Sequence, residues 1–264
     1  MVDAKLIRIG SRGSNLALLQ TREVLEKLRP LSKDKDFEIR IIKTGGDTAK
    51  DSPLAGMGRG IFVKELENAL LDNEIDIAVH SLKDLPTQIT SGLAIRVVGH
   101  RENPQDALVN RWGLKLMDLP KGSHIGTSSP RRESQLRNLR PDLKVTAIRG
   151  NVETRIKKCL GSNYDGTILA RAGIVRLGLQ AHVSEFLSPD FFVPAAGQGA
   201  LAMQVRYDDI HLLNMGTKIT HLETNRTTTA ERVFLEEVGG GCQIPAAAYA
   251  RVKDDMIVLT VLMA

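Results

Sequence analysis

Three times in this chain, and a fourth time in outline, a short apolar strand runs through a glycine- or serine-bearing turn that carries arginine into a helix start. This succession constrains the fold most, because strands that alternate with helices build an α/β sheet covered by its own connections. The first instance is Lys5–Ile9, the turn Ser11-Arg12-Gly13-Ser14-Asn15 and a helix over Leu16–Leu28. Phe37–Lys43 is a second strand, residues 44–60 a long loop rich in glycine and charge, and Phe62–Leu71 a helix. Ile75–Val79 is a buried strand ending in His80-Ser81-Leu82-Lys83-Asp84, and Leu93–Val98 is another. After Arg101–Pro104 the pattern starts afresh, which marks a second domain. Strands at Ser123–Gly126, Leu143–Ile148 and Gly166–Ala170 lead into Ser129-Pro130-Arg131-Arg132, Arg149-Gly150-Asn151 with Arg155, and Arg171 with Arg176. Pro194–Ala200 crosses back to an apolar strand ending at Val205. A helix over 219–238 then delivers Gly239-Gly240-Gly241-Cys242, and Ala246–Val252 pairs with Met256–Met263 through Asp254-Asp255. No internal repeat is visible.

A strand that feeds a helix N-terminus is an anion site, because unpaired N–H groups and the helix dipole both favour negative charge. At Arg12 the simpler reading is capping by Ser14 or Asn15. At Ser129 the signal is stronger: Pro130 suits the first helical position, but Arg131 and Arg132 are electrostatically wrong there. An anion is expected to resolve that conflict. Arg149, Arg155 and Arg176 extend the pattern toward a ligand with several carboxylates or phosphates. Lys83 and Asp84, at a strand end, form either a surface ion pair or a site in which the carboxylate binds N–H donors or moves protons.

Net charge is +5, spread along the chain, and aromatic residues make up 4%. That combination argues against nucleic-acid binding, which favours a basic stripe and stacking surfaces. Cys159 and Cys242 are too few for a disulfide framework. The six histidines lack ligand spacing, so no metal is expected. Residues 1–30 hold no signal-type apolar core, and the run from Met256 to Met263 is too short to span a bilayer. A cytoplasmic location is expected. Three glycines before Cys242 suit either a helix C-cap or a reactive thiol on a mobile loop. The loop alone does not choose.

Five motifs in order resemble the porphobilinogen deaminase (hydroxymethylbilane synthase) family. They are His80-Ser81-Leu82-Lys83-Asp84-Leu85-Pro86, Gly126-Thr127-Ser128-Ser129-Pro130-Arg131-Arg132, Arg149-Gly150-Asn151 with Arg155, Pro194–Gly199, and Gly240-Gly241-Cys242-Gln243-Ile244-Pro245. The resemblance implies an α/β fold with two periplasmic-binding-protein-like domains, a cleft between them, and a small α+β third domain. The implied boundaries are 1–100 with 199–217, then 101–198, then 218–264, with a lid at 44–60. It also implies the joining of four porphobilinogen molecules into hydroxymethylbilane with loss of ammonia. A dipyrromethane cofactor would be thioether-linked to Cys242.

By the same resemblance Asp84 is the catalytic carboxylate, and Lys83, Ser129, Arg131 and Arg132 bind cofactor carboxylates with it. Arg12, Ser14, Phe62, Arg149, Arg155, Arg176 and Gln198 meet the substrate or the growing chain. A monomer is expected, handing product to uroporphyrinogen-III synthase, with no nucleic-acid or membrane partner. The sequence departs from the family pattern at Gly45, Arg59 and Arg171, and it stops at Ala264, which is expected to leave the third domain short. The competing readings are a two-lobed anion-binding module without chemistry, and a nucleic-acid binder.

Overall fold

The computed structural model describes residues 6–43, 63–161, 163–239 and 245–264. In chain order the first elements are β1 (Leu6–Ser11), α1 (Asn15–Leu28), β2 (Asp36–Ile41), α2 (Lys64–Leu71), β3 (Ile77–Ser81) and β4 (Leu93–Val98). Next come β5 (Asp106–Asn110), β6 (His124–Gly126), α3 (Pro130–Leu139), β7 (Lys144–Thr146), α4 (Val152–Leu160), β8 (Gly166–Ala170), α5 (Arg171–Arg176) and β9 (Glu185–Leu187). The last are β10 (Leu201–Arg206), α6 (Ile210–Lys218), α7 (Leu222–Glu237), β11 (Ala246–Lys253) and β12 (Met256–Met263). Two compact units result: residues up to Arg101 with Ala200–Thr229, and Glu102–Gly199 with the residues from Ala230 onward.

The first unit holds a sheet of order β2-β1-β3-β10-β4, the second a sheet of order β7-β6-β8-β5-β9. β1 is parallel to β2 and β3, while β10 runs antiparallel to β3 and β4. β6 is parallel to β7 and β8, while β5 runs antiparallel to β8 and β9. Both sheets therefore share one topology, with the single reversed strand in fourth place. In each unit that strand follows a crossing of the chain, at Glu102 for β5 and Ala200 for β10. The duplication leaves no sequence repeat, because a sheet specifies apolar positions rather than residue identities.

β3 lies centrally in its sheet, so Ile77, Ala78 and Val79 are buried on both faces. On one face Val24, Leu25 and Leu28 of α1 pack with Ile7, Ile9, Val79, Leu201 and Met203. Truncating a residue such as Leu28 to alanine would cost about 2–5 kcal/mol through lost transfer energy and cavity. Gly10 lets α2 sit close on β1, since a Cβ there would meet Ile75 and Leu66. The second core gathers Leu108, Ile125, Leu136, Val145, Ile168 and Phe192.

The helix expected over 219–238 is α7, which begins at Leu222. α6, β5 and β9 go beyond the sequence reading. β5 opens on a buried aspartate and β9 has only three residues, so neither shows a clean apolar pattern. The terminal hairpin turns through Asp254 and Asp255, both at positive φ (50° and 60°), as a two-residue type I′ loop requires. β11 buries Ala246, Ala247, Ala248 and Ala250, whereas Met256, Leu259, Val261 and Met263 of β12 stay exposed.

Candidate active site

In the first sheet the chain steps from β1 outward to β2, then returns past β1 to β3. Connections diverge at the carboxyl ends of β1 and β3, where open α/β sheets form ligand crevices. Arg12 and Ser14 follow β1, and Lys83 and Asp84 follow β3. Ser14 is the N-cap of α1, its hydroxyl accepting the Ala17 N–H at 3.3 Å. α1 is tied to both strand ends, by Thr21 donating to Ser11 Oγ and by Gln20 donating to Ser81 Oγ, each at 2.8 Å.

Lys83 and Asp84 stand on a single 3-10 turn anchored by the fully buried Leu82, whose N–H donates to Ala200 O at 3.0 Å. Both are half-buried, and the Asp84 carboxylate makes no hydrogen bond or ion pair among the described residues. His80, at the end of the same strand, is buried and feels the charges of both Arg12 and Asp84. Burial, reinforced by Arg12, holds its pKa down to about 4 against the pull of Gln204 and Asp84. It is therefore neutral at pH 7. Beyond it Gln204 Nε2 donates to Glu67 Oε1, and Thr90 Oγ1 donates to Glu67 Oε2, both at 2.8 Å. His80 and Glu67 were not among the expected site residues. A histidine closing an apolar strand, and a glutamate on the apolar face of α2, were the available signals.

The second sheet repeats the geometry. The chain steps from β6 to β7 and back to β8, so the diverging point lies between β6 and β8. Ser129 occupies the N-cap position of α3, yet its side chain makes no capping hydrogen bond. Arg131 and Arg132 behind it are buried, and the expected anion is supplied from within the chain. Asp106, fully buried at the start of β5, accepts Arg132 Nε at 3.1 Å and Nη2 at 2.6 Å on Oδ1. Its Oδ2 lies 2.8 Å from Arg131 Nη1, which itself donates to Val193 O at 2.7 Å. Burial raises the Asp106 pKa, but the two guanidiniums outweigh it and hold the carboxyl well below the usual range.

Gln198 is also fully buried, donating to Pro104 O at 2.6 Å and Asp106 Oδ1 at 3.0 Å. It braces Asp106 from the 194–199 crossover. Arg155 Nε donates to Gly150 O at 2.8 Å. Burial, and then the charge of Arg132, lower its pKa to about 10, and it has no carboxylate partner among the described residues. Asn151 caps α4, accepting Thr154 N at 2.9 Å. Arg149 has no ion pair among the described residues, and Arg176 donates to Gly199 O at 3.3 Å. Arg171 turns inward: it stacks 4.3 Å from the Phe186 ring centre and donates to Gln105 Oε1 at 2.6 Å. Thus Arg131, Arg132 and Gln198 gather around Asp106, Arg155 lies within charge range of Arg132, and Arg149 forms no ion pair with them among the described residues. Phe62, Cys242, Gly45, Arg59 and the 44–60 loop lie outside the described residues.

Two family models account for nearly the whole chain. "Porphobilinogen deaminase, dipyromethane cofactor binding domain" matches residues 7–214, and "Porphobilinogen deaminase, C-terminal domain" matches 225–264. The chain belongs to the porphobilinogen deaminase family.

Its relatives in that family include the porphobilinogen deaminase of Desulforamulus reducens, 49% identical over 98% of this chain and 84% of that protein. The porphobilinogen deaminase of Bacillus subtilis is 46% identical over 98% and 84%. Among solved structures, a Bacillus subtilis lipoprotein named for methionine binding aligns with a TM-score of 0.51 at 14% identity, over 82% of this chain and 90% of that one. That likeness concerns the fold alone, and it places this porphobilinogen deaminase family member among periplasmic-binding-protein-like α/β folds.

Proposed function

We propose that this chain joins four porphobilinogen molecules head to tail into hydroxymethylbilane, from a dipyrromethane primer linked through a thioether to Cys242. Each addition breaks the aminomethyl C–N bond of one porphobilinogen and the α-C–H bond of the growing chain's terminal pyrrole, forms the C–C bond between them, and releases the amine with that proton as ammonia. The observation that carries this reading is the family match along residues 7–214 and 225–264. The primer supplies the pyrrole carbon from which the chain grows.

The residues present suit such a group. A dipyrromethane presents acetate and propionate side chains. Ser129 keeps its hydroxyl off the helix cap, and Arg131, Arg132 and Arg155 outnumber the one carboxylate, Asp106, that is ion-paired beside them. Lys83, Ser129, Arg131 and Arg132 hold the cofactor carboxylates, while Arg12, Ser14, Arg149, Arg155 and Arg176 hold those of substrate and growing chain, and Phe62 meets the substrate through its apolar ring. Gln198 serves the same site through Asp106. Asp84 accepts pyrrole N–H groups and stabilises the positive charge that develops as the amine departs. Its lack of a competing partner among the described residues suits that task. The neutral His80 adds no competing charge beneath it.

We further infer three domains, with residues 218–264 as the third, and a monomer that works in the cytoplasm and passes its product to uroporphyrinogen-III synthase. No helix among the described residues is long and apolar enough to cross a membrane. The test is the colour reaction of the purified protein with an aldehyde reagent for pyrroles, followed by turnover of porphobilinogen. Both are expected. A colourless protein that binds porphobilinogen without consuming it would make the chain an anion-binding module instead.

A further inference from the structure

The arginine pair at the start of α3 is built around the carboxylate of Asp106. Asp106 has zero exposure and meets three partners: Arg131, Arg132 and the Gln198 amide. Of the five N–H groups on Arg132, two are fixed by Asp106 and one by Ile168 O at 2.9 Å. The remaining two, one on each terminal nitrogen, lie in the fixed guanidinium plane and have no acceptor among the described residues, so they are left to donate to a ligand carboxylate. Arg155 stands within charge range of Arg132 with no acidic partner of its own among the described residues. The single charge of Asp106 thus pairs with two guanidiniums, which lets them approach each other and leaves a positive excess for a ligand.

We propose that Asp106 is a positioning residue for cofactor attachment: it clamps Arg131 and Arg132, with Gln198 bracing it, so that Arg132 is held in place to present its remaining donors to a ligand carboxylate. The proposal rests on the transferase reading above. Asp106 touches no substrate in this account and acts only through the arginines. Because Gln198 also binds Pro104 O, the clamp is anchored to the segment that leads into β5.

The experiment compares the wild-type chain with Asp106→Asn, following thermal unfolding with and without inorganic phosphate and the gain of mass on incubation with porphobilinogen. The asparagine turns an N–H donor toward a guanidinium and removes the internal charge. Phosphate is then expected to raise the midpoint of Asp106→Asn more than that of wild type. Cofactor attachment is expected to slow about tenfold or more, the effect of one lost charge-assisted hydrogen bond. A purely packing role would lower the midpoint equally in both buffers. A folded Asp106→Asn that ignores phosphate and gains mass at the wild-type rate overturns the proposal. Should that variant fail to fold, Gln198→Leu, which removes only the brace, is expected to slow attachment several-fold; a wild-type rate there overturns it equally. A wild-type chain that carries no pyrrole units as purified and gains none from porphobilinogen overturns the transferase reading instead, and the phosphate comparison still decides the clamp.

Discussion

Glu231 of α7 accepts the Gly197 N–H at 2.7 Å on one carboxylate oxygen, and its other oxygen accepts the Ala250 N–H at 2.7 Å. The carboxylate is fully buried, so it ties the 194–199 crossover and β11 to the helix that leads toward Cys242. Replacing it with alanine leaves two buried backbone donors unsatisfied. Glu231→Ala is expected to lose about 2–6 kcal/mol of stability, at roughly 1–3 kcal/mol for each orphaned donor. Denaturant unfolding measures this; a loss below about 0.5 kcal/mol, the range of an ordinary surface change, would contradict it.

His80 sets an acid limit on stability. Its folded pKa lies near 4, below the ordinary histidine value of 6.5. Between those values the unfolded chain binds a proton that the folded chain excludes. Stability is therefore full above about pH 6.5 and falls as pH drops toward 4, by on the order of 3 kcal/mol. Asp76 and Asp106 are both held below the usual carboxylate range, so their losses come at lower pH, beneath about 3.8. Unfolding curves across pH 7 to 4 should slope for wild type and flatten for His80→Gln. Parallel curves would remove His80 as the cause.

Asp84→Asn keeps the size and shape of the side chain but removes the charge proposed above to face the reacting amine. The variant is expected to carry its covalent pyrroles and to lose roughly 100-fold or more in turnover, the scale of a lost transition-state charge interaction. Normal turnover would take the catalytic role away from Asp84. Loss of the covalent group would move Asp84 to cofactor assembly.

The two thiols should behave oppositely. Cys159 is completely buried, and burial pushes its pKa up to about 12 despite nearby Arg111 and Arg155. A thiol that stays protonated and enclosed does not react. Native protein treated with a thiol reagent should leave Cys159 unlabelled, and Cys242→Ser should carry no covalent pyrrole. Rapid labelling of Cys159 would contradict the burial seen around α4.

The α/β class, the strand ends that matter and the arginine-bearing turns were legible because each leaves a local trace: an apolar run, a glycine or serine turn, a charge at a helix start. Arg131 and Arg132 also announced that an anion must be near. Its source was not legible. Asp106 lies 25 residues before Arg131 in the chain, and only the reversed placement of β5 beside β8 brings it there. Gln198 arrives from a further 92 residues along. Long-range polar contacts of this kind depend on topology, which periodicity does not encode. Arg171 shows the same limit from the other side: its sequence position allowed either a ligand contact or a solvated charge, and Phe186 with Gln105 settle its place inside the fold.

The central claim is a covalent primer on Cys242, and the intact mass of the purified protein, with a peptide map across that residue, tests it most directly. The account predicts an added mass of two linked pyrrole units on the peptide that contains Cys242. An unmodified Cys242 that stays unmodified after incubation with porphobilinogen would contradict it.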